Sequence, residues 1–183
     1  MNSVIIRKDD DFTKINEEVE KVEFYEYDGL YDISNLELKS ISYTKMSVDL
    51  CDVSSNIKSL GLFDCDFSIS DLNRFSGLEE LEITNRNIDI LDILKFKGLK
   101  SINLNFSKVF NVDKLVKFDK LEEVSLVDAN ISDFNFLFDI KSLSTIVVSD
   151  KCYFENEELF LELSRRGVLV LDMMGGAFNA IWL

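Results

Sequence analysis

The side chains able to do chemistry in this 183-residue chain are carboxylates, lysines and three thiols, because it contains no histidine. Histidine is the commonest general base and the commonest metal ligand, so its absence removes His-based triads, most zinc sites and imidazole pH switching. Glu80 with Glu82, or Glu122 with Glu123, could be read as an acid/base pair of the glycosidase kind. That chemistry needs two carboxyl groups whose environments push their pKa values apart, and an exposed sheet does not supply the burial. Asp9-Asp10-Asp11 and Asp64-Cys65-Asp66 lack the glycine and terminal glutamate of a calcium loop. Cys51, Cys65 and Cys152 are odd in number and lack metal-ligand spacing, which fits reduced thiols. Gly175-Gly176 is not followed by the Lys-Ser/Thr of a phosphate-cradling loop. The chain is therefore expected to be non-enzymatic, without cofactor or bound metal.

The elements that carry these groups are acidic and apolar together. Asp and Glu number 34 against 20 Lys and Arg, a formal charge of −14, while 46% of residues are hydrophobic. Binding a phosphate backbone or an anionic membrane surface requires clustered cations, so neither nucleic acid nor membrane is an expected partner. The apolar content is enough for a sizeable core, and one domain over 1–183 is the expectation. Met1 to Ile6 turns acidic at Asp9-Asp10-Asp11 before any signal-peptide core could form, and no apolar run reaches a membrane span of roughly 18 residues. A soluble, cytoplasmic location is expected.

The chain repeats itself. Leu78-x-x-Leu81-x-Ile83 returns as Leu99-x-x-Ile102-x-Leu104, Leu121-x-x-Val124-x-Leu126 and Leu143-x-x-Ile146-x-Val148, at intervals of 21, 22 and 22 residues. Backwards, the same skeleton reads as Ile57-x-x-Leu60-x-Leu62 and then as Ile33-x-x-Leu36-x-Leu38. A second apolar series steps by three, as in Val112, Leu115, Phe118 and Phe134, Leu137, Ile140. Period two followed by period three is a short strand followed by a short helix or 3₁₀ turn. Such a unit cannot bury its own apolar side, whereas stacked units share one core.

On these residues the chain resembles the leucine-rich repeat family, in its short bacterial and phosphatase-regulator-like form. The resemblance implies an α/β solenoid, with a parallel sheet on the concave face, helices or 3₁₀ turns on the convex face, and a cap at each end. The Asn/Cys position of the family consensus is filled here by Ile41, Cys65, Arg86, Ser107, Ala129 and Lys151. Asp71, Asp113 and Asp133 are placed to cap the helical turns. The division expected is an N-terminal cap over 1–32, repeats over 33–153, and a C-terminal helix, strand and cap over 154–183. The first part holds a helix over 12–21 and strands at Val4–Ile6 and Val22–Tyr25; the last holds a helix over Glu155–Arg165, a strand over Val168–Leu171 and the sole tryptophan, Trp182.

In that fold the residues between the core leucines look outward in columns. The column Lys58, Glu79, Lys100, Glu122 alternates in sign and reads as a ladder of exposed ion pairs. The next columns hold acids, amides and aromatics with a single lysine, Lys39, while Lys95, Lys97, Lys108, Lys114, Lys117, Lys120 and Lys141 fall in loop and convex segments. The residues expected to meet a partner are Glu23, Tyr25, Glu37, Phe63, Asp64, Glu80, Glu82, Asn85, Asn103, Asn105, Phe106, Glu123, Asp128 and Asp150. Phe63 and Phe106, aromatics among polar residues, have the character of interface anchors. An acidic concave sheet fits a basic protein. The general character of the chain resembles immunity proteins that neutralise a basic toxin such as a nuclease domain. The alternative is a regulatory adaptor that holds an enzyme or cytoskeletal partner without inhibiting it.

Overall fold

The computed structural model of the chain describes residues 2–8, 10, 15, 18–28, 33 and 36–178. Its strands are β1 (Ser3–Arg7), β2 (Lys21–Tyr25), β3 (Ser40–Thr44), β4 (Ser59–Phe63), β5 (Glu80–Thr84), β6 (Asn87–Asp89), β7 (Ser101–Asn103), β8 (Lys108–Phe110), β9 (Glu123–Ser125), β10 (Thr145–Val147) and β11 (Leu169–Leu171). Nine of them form one sheet in the order β1-β2-β3-β4-β5-β7-β9-β10-β11, parallel throughout; β6 and β8 pair separately. A parallel sheet with one strand per coil is what alternating strands and return segments must build when each coil covers the next.

Register turns the sequence repeat into continuous apolar rows. Val22, Ile41, Leu60, Leu81, Ile102, Val124, Ile146 and Val170 are successive partners across the sheet, and each is buried. A second row runs Phe24, Tyr43, Leu62, Ile83, continued in later coils by Leu104, Leu126 and Val148. Phe24 and Tyr43, neighbours in that row, stack at 5.2 Å and 9°.

The return segments are 3₁₀ turns at Leu50–Asp52, Ile69–Arg74, Val112–Lys117 and Asn135–Asp139, with a single α-turn, α1 (Ile90–Ile93), in the middle coil. Their step of three buries Leu72, Leu115 and Leu137, followed by Phe75, Phe118 and Ile140. Asp49, Asp89 and Asp133 accept hydrogen bonds from the amides of Cys51, Leu91 and Asn135, opening three of these segments. Asp71 and Asp113, expected as caps, lie inside the first turn instead. At the far end come α2 (Asp150–Glu155) and α3 (Glu157–Arg165), so the helix expected from Glu155 is two helices broken at Asn156. The helix expected over 12–21 falls largely outside the described residues, as does the Trp182 end of the C-terminal cap.

One expectation is corrected. The unit before Ile57 is Leu38-x-x-Ile41-x-Tyr43, not Ile33-x-x-Leu36-x-Leu38, because Ile41 and Tyr43 pair with Leu60 and Leu62, and Val19-x-x-Val22-x-Phe24 precedes it in the same frame. Leu38 satisfies the pattern as either its first or its last member, and the tyrosine in the last position disguised the true frame. Glu37 therefore precedes β3 and is not on the sheet face. The same frame shift makes Met46, not Ile41, the occupant of the Asn/Cys position in that coil.

After β2, β3, β4, β5, β7 and β9 the chain turns through the left-handed region at one fixed repeat position. Glu26, Lys45, Asp64, Asn85, Phe106 and Asp128 have φ of 50°, 54°, 54°, 58°, 58° and 49°. This conformation costs an ordinary L-residue roughly 1–2 kcal/mol, and Asn or Asp much less because their short polar side chains bond locally. Asp64, Asn85 and Asp128 suit the position; Glu26, Lys45 and Phe106 do not. The rows make a sharp prediction: Leu104→Ala or Leu126→Ala leaves a cavity between two coils and lowers unfolding free energy by about 2–5 kcal/mol, measured by urea denaturation.

Candidate functional site

The outward side chains of the sheet form three columns. The first reads Ser3, Lys21, Ser40, Ser59, Glu80, Ser101, Glu123, Thr145, Leu169; the second reads Ile5, Glu23, Ser42, Gly61, Glu82, Asn103, Ser125, Val147, Leu171. The third runs Arg7, Tyr25, Thr44, Phe63, Thr84, and continues beyond the paired strands as Asn105 and Val127. Lys21 and Arg7 stand on this face, which was not foreseen, while Lys39 precedes its strand and, with Lys58 and Glu79, lines the upstream edge of the cleft described next.

Four adjoining small residues, Ser40 and Ser42 on β3 and their partners Ser59 and Gly61 on β4, make a floor in the first half of the face. Lys21 and Glu23 on β2 and Glu80 and Glu82 on β5 rise on its two sides, enclosing a cleft of about 600 Å³. Phe63 folds back along its own strand over Gly61: a Cβ at that glycine would lie 2.7 Å from the phenyl Cε2 and 2.9 Å from Ser42 Cβ. Glycine is thus what lets the aromatic ring lie on the floor. The mis-set frame of the Leu38 unit hid this floor in the sequence, because it put Asn35 and Glu37 where Ser40 and Ser42 belong.

The electrostatics of the cleft are uneven. Lys21 and Glu23 pair at 2.8 Å, and the Glu23 contact is the chief cause that raises the Lys21 pKa. Burial raises the Glu82 carboxyl above its ordinary range, against a partly offsetting hydrogen bond from Asn103 Nδ2 at 3.0 Å. Among the described residues Glu80, Glu82 and Glu123 form no ion pair. At the upstream end of the strands the ladder is present: Glu79 receives Lys58 at 3.2 Å and Lys100 at 2.7 Å, and Glu20 pairs with Lys39. The Lys100 and Lys58 contacts hold the Glu79 carboxyl below its usual range.

In the second half of the face a chain of amides serves the sheet. Asn103 accepts from the Asn105 amide at 3.0 Å; the Asn105 side-chain oxygen accepts from the Val127 amide at 2.7 Å and from Ser125 Oγ at 2.8 Å. Asn105 is 9% exposed. It carries a backbone–backbone function by proxy and is withdrawn as a contact residue.

Of the other expected residues, Glu23, Tyr25, Phe63, Glu80, Glu82, Asn103 and Glu123 share the sheet face, with Lys45 Nζ 5.8 Å from the Tyr25 ring. Asp64, Asn85, Phe106 and Asp128 line the left-handed turns along the downstream rim, and Asp150 occupies the same repeat position as the first residue of α2. Met173 and Met174 on this rim escaped the sequence reading; their only signal was a Met-Met pair before Gly175-Gly176.

Nothing in this arrangement activates a nucleophile. Cys65 is buried and burial raises its pKa; Cys152 is pushed up to about 11 by burial; and Asp49 raises Cys51. Among the described residues no group of three or more Cys, Asp or Glu could hold a metal ion, and no helix is long and apolar enough to cross a membrane.

The Glu82 environment has a pH signature. Its folded-state pKa lies above the unfolded value of 4.5, so the folded chain holds the proton to higher pH and loses stability as pH rises through that interval. Glu82→Gln, which keeps the acceptor for Asn103, is expected to unfold at higher urea than the parent at pH 7, the advantage vanishing below pH 4.5. Equal midpoints at both pH values would refute the burial of that carboxylate.

No protein-family model and no curated protein sequence matches the chain. Among solved structures, internalin C2 of Listeria monocytogenes superposes with a TM-score of 0.57 at 22% identity, over 72% of this chain and 62% of that one. Internalin F of the same organism superposes with a TM-score of 0.49 at 17% identity, over 72% of this chain and 49% of that one. The chain thus spans less than two thirds of either internalin. Internalins are leucine-rich repeat proteins. With one parallel strand per coil, in-register leucine rows and 3₁₀ turns on the return side, the chain has the fold of a leucine-rich repeat solenoid.

Proposed function

We propose that this chain is a non-enzymatic protein-binding module whose open sheet face receives a basic protein, and that it acts as an immunity protein neutralising a toxin of that kind in the cytoplasm. The observation that carries the reading is the cleft over Ser40, Ser42, Ser59 and Gly61, walled by Glu80 and Glu82, which form no ion pair among the described residues, and floored by the Phe63 ring. A lysine or arginine side chain entering there gains a carboxylate and an aromatic face together. It also relieves the burial cost that now rests on Glu82.

The charge on the face divides this work from steering. Five carboxylates, Glu23, Glu79, Glu80, Glu82 and Glu123, stand on the face and its upstream edge against Arg7, Lys21, Lys39 and Lys58, a local excess of only one. Long-range attraction must come from the whole chain, with its formal charge of −14. A rigid sheet adds that little ordering is needed on docking.

The test is capture from the source cell by the parent chain and by Glu80→Lys, Glu82→Lys, Glu123→Lys together, followed by co-expression of any captured protein with each form. A basic protein retained by the parent alone, and detoxified by it alone, is the expected result. On-rates to that protein should fall at least about tenfold in the triple variant, with a flatter salt dependence. Capture without inhibition would instead identify an adaptor, and on-rates unmoved by the three reversals would remove this face from the account.

A further inference from the structure

The downstream rim carries an apolar corner that neither the core nor the cleft explains. Phe106 is 46% exposed at the left-handed position, Met173 is 58% exposed and Met174 88%. Together with buried Val127 they line a depression of about 440 Å³ bounded by Asp128, Asp150 and Asp172.

Two features show that the corner is held in place. The Phe106 amide donates to the Val127 carbonyl at 2.8 Å, fixing the residue in a conformation that Asn85, its counterpart one coil earlier, adopts more readily. Asp172 accepts from the amides of Met174 and Gly176 at 2.7 and 2.8 Å, and its own amide donates to the Gly176 carbonyl at 2.8 Å. That closed turn presents two unbranched, polarizable side chains that adapt to whatever meets them. A solenoid has no packing need for a phenylalanine at this turn, since the polar residues Glu26, Lys45, Asp64, Asn85 and Asp128 serve in the other coils.

We propose that Phe106, Met173 and Met174 form the anchor socket for the same partner, and that they receive a large apolar side chain flanked by lysine or arginine. The apolar lining selects the anchor, and the carboxylates of Asp128, Asp150 and Asp172 select its basic neighbours; Lys151, also at the edge, leans to Glu155 at 3.9 Å. Apolar centre with charged rim is the anatomy of an energetic centre in an interface. The inference deepens the protein-binding reading and rests on it.

The methionines provide the assay, because the chain has only four. With ¹³C-methyl methionine, the Met173 and Met174 signals should move on titration with the peptide acetyl-Lys-Arg-Trp-Lys-amide and Met46 should not. Acetyl-Glu-Glu-Trp-Glu-amide and acetyl-Lys-Arg-Ser-Lys-amide should each bind at least about tenfold more weakly. Phe106→Asn should weaken the basic Trp peptide about tenfold while raising the thermal midpoint, since it relieves the turn; Met173→Ser with Met174→Ser is a second variant that leaves the turn unaltered. Loss of peptide binding in the triple Glu→Lys variant but not in Phe106→Asn would overturn the socket and leave the cleft reading standing. Equal binding of the acidic peptide, or a lower thermal midpoint in Phe106→Asn, would also overturn it.

Discussion

Parallel, in-register pairing of one strand per coil is the constraint from which the other features follow. A unit of roughly 20 residues has an apolar side it cannot cover alone, and its strand has backbone groups with no partner within the unit. Stacking answers both needs only if every coil keeps the same frame. The frame is visible in the rows from Val22 to Val170 and from Phe24 to Ile83, and in the repeated left-handed turn that ends the strands. Where the frame leaves an amide over, a side chain takes it up. Asn105 bonds the Val127 amide of the next coil, and Ser107 Oγ accepts from the Arg86 amide of the coil before it.

The same rule that buries one side of each strand frees the other from packing. Residues there can be chosen for contact, and their distribution is not uniform. Small hydroxyls and a glycine on β3 and β4 open a hollow; charged and amide groups fill β5, β7 and β9; apolar side chains take over at Val147, Leu169 and Leu171. The exposed ion pairs at the upstream edge, such as Glu79 with Lys58 and Lys100, lie in solvent and add little to stability. They neutralise one rim while Asp64, Asp128 and Asp150 keep the other acidic.

Periodicity made the solenoid legible because every coil repeats the same three apolar positions, and errors in one coil are outvoted by the rest. The coil that begins at Leu38 had no such protection: Leu38 fits two frames, and the frame ending on it places Asn35 and Glu37 on the sheet where Ser40 and Ser42 stand. The cost fell on the site rather than on the fold, since a shift that preserves a strand changes which side chains look outward. Phe106 was legible as an exposed aromatic from residue type alone, but its left-handed backbone was not, and Met173 and Met174 lie beyond the repeat. Asn105 shows the reverse error: a polar side chain in an outward column, spent on the backbone of its neighbour.

The proposed cleft and socket divide the labour of recognition along physical lines. Charged contacts over a water-exposed sheet raise encounter rates and exclude wrong partners, yet much of their Coulomb energy is returned as desolvation. Apolar side chains at a fixed rim act at short range and set how long a complex lasts. Phe106 sits in a conformation that costs roughly 1–2 kcal/mol for such a residue, and one buried aromatic anchor returns at least that much in an interface. A strained turn of this size is sustainable in a stack of well-packed coils, as Glu26 and Lys45 show at the same repeat position, so the choice of an aromatic ring there is free to serve contact.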